Sequence, residues 1–401
     1  MKAIIKKSRA CGSVAAPPSK SVLHRMLICA ALSKEESLIG NAYYSEDISA
    51  TLDCLSAMGA KVEKGETAVR IGGLDPMNIP ENAVLPCRES GSTLRFLIPL
   101  ALLCGKRITF TGAEKLFSRP LGVYEEIAEQ KGFLFEKEKG SLTVCGRLSG
   151  GDFSVPGNVS SQFITGLLFA LPFCGESRVC LTTALQSKSY VDITLSVMKK
   201  FGVSASWQNA GTLYLSSGQF FTASDCSAEG DYSSAAFLEA FNLFSGSVSV
   251  SGLDCNSLQG DRVYREHFRL LENGTPVIDI ADCPDLAPIL MTVAAAKNGA
   301  VLKNTARLRM KESDRGEAMK KELSAFGAEI DVLENEIVVH KAPLHSPQRT
   351  LCSHNDHRVV MSLAVLSSVF GGEIEGAQAA SKSFPTFFEV IKELGIRVDL
   401  I

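Results

Sequence analysis

An α/β fold of six βαβαββ-type repeats, three to a lobe, is what this 401-residue sequence predicts. Three observations carry that reading. Six apolar helices open on small or charged residues at Ser19, Ser90, Ser160, Asp231, Asp285 and Asp356, at intervals of 71, 70, 71, 54 and 71 residues. Such a period marks an internal repeat. Each of these helices is followed by a second one ending in glycine, and short β-like runs separate and follow the pairs.

The first helices read SKSVLHRMLICAAL, SGSTLRFLIPLALL, SSQFITGLLFALPF, DYSSAAFLEAFNLF, DLAPILMTVAAA and DHRVVMSLAVLSSVF. They are too apolar all round for a surface position, which predicts that they are buried. The second helices are expected to start at Ser45, Ser118, Ser189, Asp261, Ser313 and Ser383. They stop at Gly59, Gly132, Gly202, Gly274, Gly327 and Gly395, where glycine suits a left-handed C-terminal cap. Strands are expected between the helices, as in GKRITFTG and GAVLKNT, and a hairpin after the second helix, as in KVEKGETAVRIGG. The fourth unit has only PVIDI in the hairpin's place, which accounts for its short interval. The sixth has a single strand, IRVDL, and the N-terminal run Lys2–Lys7 is its expected partner.

Buried first helices put the sheets on the outside. Grouping three units per lobe places a break near Glu229–Gly230, so that 19–228 form one lobe and 1–18 with 229–401 form the other. The chain would then cross twice, near Pro17–Ser19 and Ala228–Asp231. Two crossings suit lobes that close on a ligand.

Composition narrows the function classes. A net charge of -3 provides no general field for nucleic acid or an anionic membrane. No apolar run reaches the length of a membrane span, and the N-terminus lacks the apolar stretch of a signal peptide. The twelve cysteines sit singly, with no CxxC spacing, as reduced core thiols would. The expectation is a cytosolic, metal-free protein.

Cations nevertheless gather at the helix starts: Lys20 and Arg25, Arg95, Arg119, Lys188, Lys311 and Arg315, His357 and Arg358, and Lys382. A cation at a helix N-terminus opposes the macrodipole. Either these faces are simply solvated, or an anion satisfies helix ends and cations together. Recurrence at one helix start after another favours a basic cleft for a small polyanion, because arginine and lysine hold phosphates and carboxylates through charge-assisted hydrogen bonds. Asp285 and Glu312 stand among these cations and would be ionised there, as caps or as general acid and base.

In order, PPSKSVLHR, GSTLRF, SRPLG, VSSQF, SKSYVDITL, PDLAP, KESDR, NDHR and SKSFP closely resemble the motifs of the 5-enolpyruvylshikimate-3-phosphate synthase family, over essentially the whole chain. The resemblance implies a two-lobed inside-out α/β barrel with buried parallel helices. It implies transfer of the enolpyruvyl group of phosphoenolpyruvate to the 5-hydroxyl of shikimate 3-phosphate, through a tetrahedral adduct and with no metal or organic cofactor. By motif position, phosphoenolpyruvate would be held by Lys20, Gly91, Arg119, Gln162, Arg315, Arg358 and Lys382. Shikimate 3-phosphate would be held by Lys20, Ser21, Arg25, Ser160, Ser161, Gln162, Ser187, Tyr190, Asp285 and Lys311. Asp285 is then the expected base toward the hydroxyl and Glu312 the partner for the methylene proton. Lys20, His357 and Lys382 would serve the leaving phosphate. The only partners implied are the two substrates, without nucleic acid or membrane, and one full motif set per chain is compatible with a monomer.

The chain departs from the family's common pattern at Glu89, Ser92 and Phe96, where many members have asparagine, threonine and proline, and at Arg307, where some members have asparagine. The sister transferase that acts on UDP-N-acetylglucosamine is disfavoured, since KLFSRPL lacks that enzyme's loop cysteine. A non-catalytic anion-binding homologue would be expected to have lost Lys20, Asp285 or Glu312, and an RNA-end-processing relative fits neither the charge nor the motifs.

Overall fold

The computed structural model describes residues 1–401, which divide into two compact units, Pro18–Glu229 and Met1–Pro17 with Gly230–Ile401. Its helices are α1 (Lys20–Ala31), α2 (Glu46–Ala57), α3 (Gly91–Ala101), α4 (Glu114–Ser118), α5 (Gly122–Lys131), α6 (Ser161–Ala170) and α7 (Lys188–Lys200) in the first unit. The second unit holds α8 (Tyr232–Ala240), α9 (Tyr264–Asn273), α10 (Ala287–Ala296), α11 (Arg315–Ser324), α12 (His357–Phe370) and α13 (Phe387–Glu393). The six apolar helices are α1, α3, α6, α8, α10 and α12, and all are buried; α12 is covered at every position from His357 to Ser368. Within the first unit α3 packs on α6 and α1 on α7 and α2; within the second α10 packs on α12, α8 and α11.

Five of the six repeats carry a four-stranded sheet of one plan, and the fourth has two strands only. In the second repeat Val84–Arg88 lies parallel to Ile108–Gly112, which pairs antiparallel with Ser141–Cys145, itself antiparallel to Leu134–Glu138. The third and fifth repeats follow the same order. The first repeat borrows its leading strand, Cys226–Ser227, from the end of the third. Cys11–Ala15 instead pairs parallel with Ser247–Ser251 of the fourth. The N-terminal strand Lys2–Lys6 sits between Gly372–Glu375 and Arg397–Leu400, in the slot that a hairpin strand fills elsewhere.

Four local expectations need correction. PVIDI is not a remnant of the fourth hairpin: Val277–Asp279 is the leading strand of the fifth sheet, so the fourth repeat lacks both hairpin strands. Gly274 is extended (φ 167°), whereas Gly59, Gly132, Gly202, Gly327 and Gly395 have φ between 68° and 110°. The helix expected from Ser118 starts at Gly122, because Ser118 ends α4 and Arg119 is extended (φ −70°, ψ 150°). Pro120 disfavours the helical conformation in the residue before it. The helix expected from Ser383 starts only at Phe387, after Pro385.

Candidate active site

Of the six polar openings, four cap their helices in the ordinary way. Ser90, Ser160, Asp231 and Asp356 each accept a backbone N–H of the first turn through the side chain. Ser19 does not: its Oγ is buried without a partner at the start of α1. Asp285 does not either, since its carboxylate faces cations instead.

In the unit Pro18–Glu229, Lys20 Nζ lies 2.8 Å from Asp47 Oδ2, both largely buried. Asp47 was not singled out from the sequence, where an acid in the first turn of α2 looks like a partner for the helix dipole. Beside this pair, His24 Nδ1 meets Thr51 Oγ1 at 2.7 Å, Thr51 meets Thr93 at 2.7 Å, and Thr93 meets the cap residue Ser90 at 2.7 Å. Burial, and then the charges of Lys20 and Arg25, hold His24 neutral, well below the usual histidine range.

Arg25 is buried on α1. It donates Nε to Thr194 Oγ1 (2.7 Å), Nη1 to the Ser21 carbonyl (2.7 Å) and Nη2 to the Tyr190 carbonyl (3.1 Å). Burial lowers its pKa to about 10. The ring of Phe96 lies 5.1 Å from its guanidinium, so the departure at this position supplies a π face to a buried cation. Arg95 Nη1 donates to Gln162 Oε1 (2.7 Å) and Nη2 to the Pro120 carbonyl (2.9 Å). Gln162 Nε2 then reaches Ser92 Oγ at 2.9 Å, so serine still provides a hydroxyl acceptor. Gly91 lies against the Arg119 guanidinium, and Arg119 Nε is buried with no acceptor. Ser187 begins α7 in the left-handed region (φ 58°) and is buried, while Ser160 and Ser161 open α6. Lys188 pairs with Asp192 at 2.6 Å on the outside of α7, the solvated reading of that cation.

In the other unit Arg315, with 1% of its side chain exposed, binds three carboxylates: Asp285 at 2.7 Å, Glu312 at 2.9 Å and Asp356 at 2.9 Å. Burial alone would lower its pKa, but Asp356, Glu312 and Asp285 outweigh burial and hold it well above the usual value. Asp285 also faces Lys311 at 3.3 Å and Arg358 at 3.5 Å. Burial would raise Asp285, yet Lys311, Arg315 and Arg358 prevail and keep it well below the usual carboxylate range. Lys311 is pushed down, chiefly by burial. Arg358 sits 5.6 Å from the Phe237 ring, and its Nε and Nη1 are buried without an acceptor. His357 is buried beside it at the start of α12, and Lys382 Nζ donates to the Asn355 carbonyl at 2.6 Å. The Arg307 Nη2 donates to the Ala281 carbonyl at 2.6 Å.

The structure therefore gathers Asp285, Lys311, Glu312, Arg315 and Arg358 into one charge cluster, and Lys20, Arg25, Gly91, Arg119 and Gln162 onto the openings of α1, α3, α5 and α6. A further buried acid is Asp261, which the sequence offers only as a helix start. Its Oδ2 accepts from Ser233 Oγ, and its pKa is raised to about 7 by burial first, with Asp285 and Asp231 adding to the effect against Arg358. Its position ahead of α9 reads as a cap in sequence.

A family model described as EPSP synthase (3-phosphoshikimate 1-carboxyvinyltransferase) matches residues 4–391. A 3-phosphoshikimate 1-carboxyvinyltransferase of Clostridium kluyveri is 42% identical, with 97% of this chain and 96% of that protein covered. The Clostridium acetobutylicum protein of the same name is 39% identical over 96% of this chain and 95% of its own. Among solved structures, EPSP synthase of Acinetobacter baumannii superposes with a TM-score of 0.77 at 23% identity, covering 100% of this chain and 99% of that one. The enolpyruvyl transferase NikO of Streptomyces tendae superposes with a TM-score of 0.78 at 12% identity, covering 99% and 98%. At such identities the structures speak for the fold, which is that of the enolpyruvyl transferases.

Proposed function

We propose, because the chain belongs to the EPSP synthase (3-phosphoshikimate 1-carboxyvinyltransferase) family, that it transfers the enolpyruvyl group of phosphoenolpyruvate to the 5-hydroxyl of shikimate 3-phosphate and releases phosphate. The observation that carries the reading is a set of three orphaned donors on two guanidinium groups. Arg119 Nε and Arg358 Nε and Nη1 are buried with no acceptor in the protein. Buried donors of this kind call for a partner, and an anionic substrate supplies one.

Phosphoenolpyruvate is held by Lys20, Gly91, Arg119 and Gln162 together with Arg315, Arg358 and Lys382. Shikimate 3-phosphate is held by Lys20, Ser21, Arg25, Ser160, Ser161, Gln162, Ser187, Tyr190, Asp285 and Lys311. Asp285 takes the proton of the 5-hydroxyl, and Glu312 exchanges the proton of the methylene carbon. Lys20, His357 and Lys382 serve the departing phosphate. Support for Asp285 as base lies in its cations: Lys311, Arg315 and Arg358 keep it ionised. Anionic substrates that engage those cations weaken their hold, and the carboxylate becomes more basic as the reaction requires. The protein works as a cytosolic monomer of two lobes, 19–228 and 1–18 with 229–401. No helix is long and apolar enough to cross a membrane.

Incubating the protein with phosphoenolpyruvate and shikimate 3-phosphate should release inorganic phosphate only when both are present. Absence of turnover with that pair would sink the assignment.

A further inference from the structure

The segment that leads into α12 carries two consecutive residues in the left-handed region, His354 (φ 52°) and Asn355 (φ 57°). Neither is glycine, and non-glycine residues held there cost on the order of 1–3 kcal/mol each, so the surroundings must impose the turn. One carboxylate does so. Glu322, on the inner face of α11 with none of its side chain exposed, accepts from Arg349 Nη1 at 2.7 Å, from the Cys352 backbone N–H at 3.0 Å and from His354 Nε2 at 2.8 Å. A carboxylate only accepts, so His354 carries its proton on Nε2. All three donors belong to the stretch 349–354, which Glu322 therefore ties to α11 as a unit.

What the turn presents is the Asn355 carbonyl, which receives Lys382 Nζ at 2.6 Å. One residue later Asp356 caps Arg358 and binds Ser313 and Arg315 Nε. We infer that Glu322 and His354 are positioning residues, which hold the strained turn so that the Asn355 carbonyl fixes the Lys382 ammonium for phosphoenolpyruvate. The inference rests on the reading of Lys382 as a ligand of that substrate. Neither residue touches the reacting atoms. They act through the backbone, about where a displacement near 1 Å is costly.

His354 is about a quarter exposed, at 24% of its side chain, so it can be replaced without opening the core. His354→Phe removes the donor, and His354→Gln keeps an N–H for Glu322. In steady-state assays H354F should raise KM for phosphoenolpyruvate about tenfold, leave KM for shikimate 3-phosphate within about twofold, and be rescued by H354Q. A purely structural role would lower the melting temperature without singling out one substrate. An unchanged phosphoenolpyruvate KM in H354F, beside an active wild type, overturns the inference. Should the wild type not turn over this substrate pair, the proposed function fails and a crystal structure of H354F decides the inference. A turn that still offers Asn355 to Lys382 there overturns it, and a displaced Lys382 upholds it.

Discussion

Asp285 and Arg315 meet at 2.7 Å inside a cluster where the same guanidinium also binds Glu312 and Asp356. The acid assigned to proton abstraction is thus oriented by a cation that is itself held rigidly from the other side. Asp285→Ala should lower kcat at least about a hundredfold while changing the dissociation constant of shikimate 3-phosphate, measured by calorimetry, far less. Equal losses in both would make Asp285 a binding residue only.

Gly91 has no room for a side chain. A β-carbon there would stand 2.6 Å from Arg119 Nη1 and 2.9 Å from its Cζ. Arg119 is the end of a flexible side chain, so Gly91→Ala should fold and displace the guanidinium. The expected result is a KM for phosphoenolpyruvate raised by about tenfold or more with a wild-type melting temperature. An unchanged KM would remove Arg119 from the phosphoenolpyruvate site.

The ring of Phe96 lies against the buried guanidinium of Arg25. A desolvated cation–π contact of this type is worth about 1–2 kcal/mol. Phe96→Leu keeps the apolar packing and removes the π face, so KM for shikimate 3-phosphate should rise about five- to thirtyfold while kcat is retained. A larger effect on kcat than on KM would contradict a role through Arg25.

Asp261 makes stability depend on pH. Its pKa rises from 3.8 to about 7 on folding, chiefly because it is buried. The folded protein therefore binds this proton more tightly than the unfolded chain. The contribution is fully present below pH 3.8 and is lost as pH rises toward 7. Asp285, whose pKa is depressed by its cations, works in the opposite sense but only below pH 3.8. Asp261→Asn abolishes the titration, so its melting temperature should gain on that of the wild type between pH 5 and pH 8, by an amount on the order of a few kcal/mol in stability. Two parallel melting curves would show that Asp261 does not titrate in this window.

Much of this was legible in the chain. The 71-residue period, the apolar helices and the glycine stops are local signals, since burial pattern and capping chemistry are written within a few turns of each other. The strand Lys2–Lys6 was expected to pair with the final strand, and it does. The misreadings have local causes as well. Pro120 and Pro385 moved two helix starts, and PVIDI was assigned to the wrong repeat because a single apolar run does not say which sheet it joins.

Sequence alone determined the repeat, the buried helices and the residue types set at their openings, because each depends on neighbours within one turn or one strand. Tertiary structure alone decided which openings cap a helix and which carry charge elsewhere. Ser90 and Asp356 look no different from Ser19 and Asp285 in the chain, yet the first two cap and the last two do not. It alone brought Asp47 to Lys20, Asp261 into the field of Asp285, and Glu322 to His354 across 32 residues. A buried carboxylate is satisfied by whatever donors the packing delivers, and no local pattern records where those donors come from.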